Sequence, residues 1–445
     1  MKYNLLSWLA FFIGMTAHAQ TSLSLNDAVH LALSKGDEAN LANAKAATKN
    51  YESQSVRMNQ YPDLKISGQY MRLTAANMTL KSSQEQNNES AGSRENNESA
   101  PPKYLALGQA TLSVPVFSGF RLRNSITASE QLYQAESANA LHTQQQIAMR
   151  VVQYYADLYK AQKSVELFKE SLKSSRQRVT DFTAMEQNGL LARNDLLKAQ
   201  LQESQIRLSL DEAEKNVRLI NYALVTLLKM DPQTTLVVRE DNLDPNLFAF
   251  GVADEAGALD NRKDLEALEH LKEAGAANIK VARAGYFPSV NLSGGYVALD
   301  LDNVVRVDNA MNVGVGLSYN LSSLFKNAKE VKAAKSRALE IETQKALLTD
   351  AIKTQINAAR ENYELSLRQN QVYAQAVAQA DENFRIVKDK YDNGLSDTND
   401  LLQADVEDLS AKINHAYAKA NVALKFYELL DATGQITQSF NLTQN

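Results

Sequence analysis

The sequence predicts an α+β membrane protein made from two copies of one supersecondary unit, each a pair of membrane-length strands followed by a long helical hairpin. One stretch occurs twice: Asn188-Gly189-Leu190-Leu191-Ala192-Arg193-Asn194-Asp195-Leu196-Leu197-Lys198-Ala199 is echoed by Asn393-Gly394-Leu395-Ser396-Asp397-Thr398-Asn399-Asp400-Leu401-Leu402-Gln403-Ala404. Downstream, Asn216, Val217, Leu219, Tyr222 and Leu224 match Asn421, Val422, Leu424, Tyr427 and Leu429 at the same offset, a repeat of roughly 200 residues, far longer than a solenoid period. Gly and Pro are absent from Phe120 to Gln187 and from Leu317 to Asn393. Four segments alternate apolar and polar residues with the period of a strand.

Composition narrows the partners. The 445 residues carry a formal charge of -5 with both signs interspersed. That leaves no basic face for nucleic acid, whose phosphates demand one. Residues 1–19 read as a secretory signal, with Lys2 ahead of the apolar core Leu5 to Met15 and Ala17-His18-Ala19 as the small-x-small cleavage site. No later segment approaches the ~20 apolar residues of a membrane helix. Any membrane span must therefore be made of strands. With no cysteine in the chain, disulfides, thiolate metal sites and lipid attachment at an N-terminal Cys are excluded.

In order, Ser24 caps a helix expected to continue through Ala42 and Val56 to Tyr61-Pro62, where proline ends it. Leu64, Ile66, Gly68 and Tyr70 then alternate with Lys65, Ser67, Gln69 and Met71 to make the first strand. The segment from about Lys81 to Pro102, rich in Ser, Asn, Glu and Gly, reads as a mobile polar loop. The second strand sets Gly108, Ala110, Leu112, Val114 and Val116 against Gln109, Thr111 and Ser113, and ends at Phe117-Ser118-Gly119. The stretch Phe120 to Gln187 permits a helix on the order of 100 Å long. Its Ile147, Val151, Tyr154, Leu158, Ala161, Val165, Phe168 and Leu172 step by four and three, the seam of a left-handed pair with the returning helix from Asp195 to about Lys229.

Residues 231–262, with Pro232, Pro245, Gly251 and Gly257, form an irregular connector, after which the scheme restarts. A helix reaches Tyr286-Phe287-Pro288 as the first reached Tyr61-Pro62. Val290, Leu292, Gly294, Tyr296 and Ala298 make the apolar face of a third strand, and Met311, Val313, Val315, Leu317 and Tyr319 that of a fourth. The second long helix carries Leu348, Ile352, Ile356, Ala359, Tyr363 and Leu367, and the last helix climbs from Asp400 to about Asp431. The organisation is then signal 1–19, first repeat 20–230, connector 231–262, second repeat 263–434 and tail 435–445. Four strands of about ten residues suit a tilted bilayer crossing. Four cannot close a barrel, so several copies must join.

The two tips with their Asn-Asp-Leu-Leu-x-Ala continuations, Pro62 and Pro288 between helix and strand, and the Val116-Phe117-Ser118-Gly119 junction together resemble the TolC family of outer-membrane efflux and secretion channels. The resemblance covers nearly all of the chain after residue 19. It implies a homotrimer whose twelve-stranded β-barrel, four strands per chain, sits in outer-membrane lipid and is continuous with a long α-helical coiled-coil barrel in the periplasm. It implies an equatorial region built from the connector and the C-terminal segment. It also implies export of small molecules (drugs, toxic compounds) or proteins, received from a periplasmic adaptor and an inner-membrane transporter of RND or ABC type. The competing class is a non-channel periplasmic or surface coiled-coil scaffold.

Candidate sites cluster at the tips. Gly189 and Gly394 serve a left-handed turn with Leu190 and Leu395 beside them, and Asn and Asp are expected to cap the helices that follow. In a trimer Asp195 and Asp400 would form carboxylate rings that attract cations and resist anions. By resemblance Asp400 is the gate aspartate, a second gate position falls on the uncharged Gln403, and Tyr391 ties the closed entrance. The usual arginine partner of that tyrosine is Ser396 here, which leaves Arg193 of the other tip as a substitute. The same tips, Gly189-Leu190 and Gly394-Leu395, would meet the adaptor hairpin. Tyr61, Tyr70, Tyr286, Phe287 and Tyr296 are candidates for interfacial aromatic belts. His30, His142, His270 and His415 lie scattered without metal-ligand spacing, and no nucleophile elbow, phosphate loop or catalytic constellation is present. No enzyme activity, cofactor or metal is expected.

Overall fold

The computed structural model describes residues 20–74, 101–238 and 251–440; the signal 1–19, most of the polar loop, residues 239–250 of the connector and the end of the tail lie outside them. In chain order the first half holds β1 (Gln20–Ser22), α1 (Leu25–Lys35), α2 (Asp37–Met58), β2 (Asp63–Arg72), β3 (Tyr104–Phe117), α3 (Arg121–Gln187), α4 (Arg193–Leu227) and β4 (Thr235–Val237). The second holds α5 (Glu255–Asn261), α6 (Lys263–Arg283), β5 (Ser289–Leu301), β6 (Val305–Ser318), α7 (Ser323–Asp392), α8 (Thr398–Ala432) and α9 (Ile436–Ser439). Packing divides the chain into two units, 47–136 with 268–344, and 1–46 with 137–267 and 345–445, each drawing on both halves of the sequence.

The first unit contains a four-stranded sheet in the order β2-β3-β5-β6, every neighbour antiparallel. Its register carries the alternation of each strand across most of the sheet. Leu64 faces Leu112, then Gly294, then Val313; one residue along, Lys65 faces Thr111, Gly295 and Asn312. A slip of one residue at any pairing would mix these faces. The apolar face is open: Ile66 is 78% exposed, Met311 81% and Val313 85%. The outer edges of β2 and β6 have no partner strand among the described residues. No helix is long and apolar enough to cross a membrane among those residues.

The second unit holds the main apolar core. Val29 of α1, Ile147, Val151, Tyr155 and Leu158 of α3, Leu224 of α4, Leu236 of β4, Leu430 of α8 and Ile436 of α9 meet there, all essentially inaccessible. Of the expected stripe of α3, Ile147, Val151, Leu158, Ala161 and Leu172 are buried and Tyr154 is half-buried, and Val165 and Phe168 pack on Leu172 with Ile206 and Leu210 of α4; Ala148, Val152, Tyr155 and Tyr159 outside the stripe are buried as well. On α7 Ile352, Ile356 and Ala359 are buried, whereas Leu367 is 41% exposed.

Local structure departs from expectation at two places. The single helix expected from Ser24 to Tyr61 is two, because Gly36 takes an extended conformation (φ -66°, ψ 135°) after α1, and α2 begins with Asp37 and Glu38. The start was read correctly, since the Ser24 hydroxyl accepts the Asp27 N–H at 3.1 Å. The connector is not wholly irregular, for β4 pairs in parallel with β1 and α5 is capped by Asp254. Two side-chain amides hold β4: the buried Asn221 accepts the Leu236 N–H (2.9 Å) and donates to the Thr234 carbonyl (2.8 Å), and the half-buried Gln162 donates to the Leu236 carbonyl (2.7 Å). A strand of three residues has too few positions to show a period.

A charged cluster lies where α5, α6 and α8 meet. Arg262 is 7% exposed, grips Asp264 with two hydrogen bonds (2.9 and 2.6 Å) and donates to Gln355 and to the Ala432 carbonyl, both at 3.2 Å. Burial raises Asp264, but its bonds to Arg262 outweigh that and hold it below the ordinary carboxylate value. Burial pushes Asp431 up to about 6; Arg262 and His142 pull it down, while Asp264 and Glu428 push it further up.

Candidate functional site: the helical hairpin tips

Both tips are built by the same hydrogen bonds. At the first, Gly189 has φ 72° and donates to the Glu186 carbonyl (2.9 Å), Leu190 donates to Met185 (2.8 Å), and the Asn188 side chain donates to Ala184 (2.7 Å). At the second, Gly394 has φ 74° and donates to Tyr391 (2.9 Å), Leu395 to Lys390 (2.8 Å), and the Asn393 side chain to Asp389 (2.7 Å). These are Schellman caps, in which a left-handed residue lets the last carbonyls of α3 and α7 find partners. Each throws one leucine outward: Leu190 is 73% exposed and Leu395 78%.

The helices that leave the tips start differently. Asp397 caps α8 by accepting the Asp400 N–H at 2.9 Å, whereas the residue ahead of α4, Ala192, offers no side-chain cap. The expectation that the Asn and Asp of both tips are caps is corrected: Asn194, Asp195, Asn399 and Asp400 all lie inside the first helical turn. There Asp195 pairs with Lys198 at 3.1 Å, while Asp400 is exposed and accepts the Ser396 hydroxyl at 3.0 Å. The two carboxylates expected to act alike therefore differ, one offset by a cation and the other in contact with a hydroxyl.

Behind the tips the two hairpins share one apolar cluster, with Phe182 of α3, Leu196 and Ala199 of α4, and Leu401 and Leu402 of α8 buried, and Tyr391 and Leu191 packed against them. The Tyr391 ring lies 5.9 Å from that of Phe182. Arg193 is 78% exposed and reaches back across its own tip to Glu186 at 3.5 Å. Within the chain Arg193 is held by Glu186, and the Tyr391 ring rests against Phe182.

One feature of this region escaped the sequence. Asp405 of α8 accepts from Arg178 of α3 at 2.9 Å and from Gln202 of α4 at 3.0 Å, with the Arg178 and Asp405 side chains only 12% and 13% exposed. Gln202 also donates to the Leu402 carbonyl at 3.4 Å, and its own side-chain oxygen has no partner among the described residues. This charged knot joins both hairpins. Its only trace in the sequence is polar residues at helical spacing from buried leucines and phenylalanine, which by itself also fits an exposed position.

A sheet that is apolar on one open face and unclosed among the described residues, combined with two long helical hairpins, defines a component of an outer-membrane export channel. The chain belongs to the outer membrane efflux protein family, whose sequence profile matches residues 32–228 and 256–435. Members of this family are channels of the TolC type and not enzymes. The outer membrane efflux protein BepC of Brucella suis biovar 1 is 22% identical over 335 residues, 73% of this chain and 71% of that protein. The outer membrane protein TolC of Vibrio cholerae serotype O1 is 25% identical over 334 residues, 70% of this chain and 73% of that one. Among solved structures, the Campylobacter jejuni CmeC outer membrane channel shares the fold with a TM-score of 0.78 at 19% identity, covering 93% of this chain and 86% of that one.

Proposed function

We propose that three copies of this chain close a twelve-stranded barrel in the outer membrane and continue as an α-helical coiled-coil tunnel through the periplasm. In this reading the protein exports small molecules (drugs, toxic compounds) or proteins delivered by a periplasmic adaptor and an inner-membrane transporter of RND or ABC type. The observation that carries it is the strand register, which over most of the sheet's length keeps one face apolar and the other small or polar on all four strands. Such a sheet suits lipid on one side and water on the other, but only if its edges are paired. With every neighbour antiparallel, β6 of one copy meets β2 of the next in the same sense. The repeat that the tips announce supports the same object: α4 and α8 each span 35 residues.

The tunnel entrance is assigned to the tips. Asp400, exposed and in contact with the Ser396 hydroxyl, forms the carboxylate ring that favours cations; Asp195, paired with Lys198, contributes less. Tyr391 and Arg193 hold the closed entrance, Tyr391 through the cluster it shares with Phe182 and Arg193 through Glu186. Gly189-Leu190 and Gly394-Leu395 present the exposed leucines that an adaptor hairpin would cover.

The test is single-channel recording of the detergent-purified protein in a planar bilayer, alongside Asp400→Ala and Arg193→Ala. Cation-preferring openings are expected, with selectivity reduced in Asp400→Ala and conductance raised in Arg193→Ala. A well-inserted protein that passes no current would return the chain to the scaffold reading. Current with selectivity unchanged in Asp400→Ala would remove the gate assignment and leave the channel standing.

A further inference from the structure

The polarity of the sheet inverts at the end of the strands away from the helices. Over most of the sheet the face bearing Lys65, Thr111 and Asn312 is small or polar. The last two rungs on that same face are Gln69–Leu107–Leu299–Val307 and Met71–Leu105–Leu301–Val305, read across β2, β3, β5 and β6. Seven of these eight residues are apolar. The opposite face changes the other way: beyond the Tyr296 rung it carries Tyr70–Ala106–Asp300–Arg306, and then Arg72 facing Tyr104. The Tyr70 and Tyr104 rings stack at 5.7 Å, and the Tyr104 hydroxyl donates to Asp300 at 3.4 Å.

A register shift in β6 completes the inversion. Between Val297 and Leu299 the pairing jumps from Ala310 to Val307. Without that jump Leu299 and Leu301 would face Asp308 and Arg306; with it they face Val307 and Val305. Bulges of this kind re-aim side chains. Here the bulge takes two charges off the face that is polar elsewhere and puts two valines in their place.

Tyrosines and charges suit the headgroup level of a lipid-facing surface. The aliphatic rungs behind them therefore face inward, continuous with the polar wall. We propose that they form an apolar collar inside the outer mouth of the barrel, a weak subsite for the apolar part of amphipathic small molecules on their way out. The site has a polar rim in Gln69 and Gln109 on one side and aliphatic wall on the other, which matches a solute with one wet end and one greasy end. This rests on the barrel reading above.

The absence of cysteine makes single thiols clean reporters. In the full-length oligomer in a bilayer, Leu107→Cys and Leu299→Cys are expected to react with a membrane-impermeant cationic thiol reagent added from outside, lowering the current. Ala298→Cys and Ala110→Cys, on the lipid side, are expected not to react. In the unmodified channel, alkyltrimethylammonium ions added from outside should block about two- to fourfold more strongly per added methylene, the increment expected for partial to full burial of each one. The double change Leu107→Ser with Leu299→Ser should flatten that dependence. Inaccessible thiols at positions 107 and 299 of a conducting channel would mean that the patch is covered core, and the collar would be lost. Block independent of chain length in the unmodified protein overturns it equally, and needs no variant to fold. No current at all from inserted protein would instead overturn the channel reading itself.

Discussion

Arg178 and Asp405 meet at 2.9 Å with little solvent around either. Removing one partner of such a pair leaves the other charge desolvated, so Arg178→Ala is expected to destabilise by about 3 kcal/mol. Thermal dissociation of the oligomer in detergent reads this out. Arg178→Met combined with Asp405→Leu should recover most of the loss, because neither charge is then stranded. Asp431 makes a different claim. Its folded value of about 6 lies above the ordinary 3.8, so the folded chain holds that proton more tightly and stability falls as pH rises between those values. Asp431→Asn is therefore expected to raise the melting temperature at about pH 7, with the gap closing as the pH is lowered toward about 4. A gap independent of pH would show that another group governs this joint. Neither residue stands out in the sequence, since burial depends on what arrives from distant segments.

Among the elements, the turn glycines separate strain from crowding. An added Cβ at Gly394 meets nothing within 4 Å, so Gly394→Ala should cost only the left-handed backbone, about 1–2 kcal/mol, with Gly394→Asn milder. Gly434 has nearly the same φ, 72°, but an added Cβ would lie 2.8 Å from the Asn261 backbone. Gly434→Ala is expected to be the more damaging of the two, measured by amide exchange at the two helix ends. Equal protection losses would place the cost in backbone strain alone. The tips were legible because a Schellman cap is written in neighbouring residues: Asn, then Gly, then Leu. The capping of α8 by Asp397 was not separable from Asn399 or Asp400, since three adjacent polar residues offer similar side-chain oxygens and only the path of the chain selects one. The break at Gly36 was missed because the apolar pattern of α1 continues on its far side.

For the whole molecule, closure dominates. Val313 and Met311 are more than four-fifths exposed on the open sheet, and Leu339 and Leu347 of α7 are 62% and 67% exposed. Surfaces of this kind are covered in the proposed trimer, by lipid on the sheet and by neighbouring helices on α7. A charge placed at Val313, as in Val313→Lys, is expected to cost about 2–4 kcal/mol of barrel stability if that face meets the bilayer midplane, and very little if it meets water. Outer-membrane insertion and heat-resistant oligomer on a gel distinguish the two.

The sequence by itself determined the two long helical hairpins, their matching tips, the four alternating strands and hence the family, because each is a pattern of period or punctuation among near neighbours. Only the tertiary structure decided which residue pairs with which. The aliphatic rungs at the end of the sheet, the Arg178–Asp405–Gln202 knot and the pairing of β1 with β4 join segments far apart in the chain, and the bulge that puts Val307 opposite Leu299 depends on which residues of the β5–β6 hairpin pair. Alternation says which residues share a face of one strand; it does not fix the register between strands, and a shift of one residue changes which face the next strand presents.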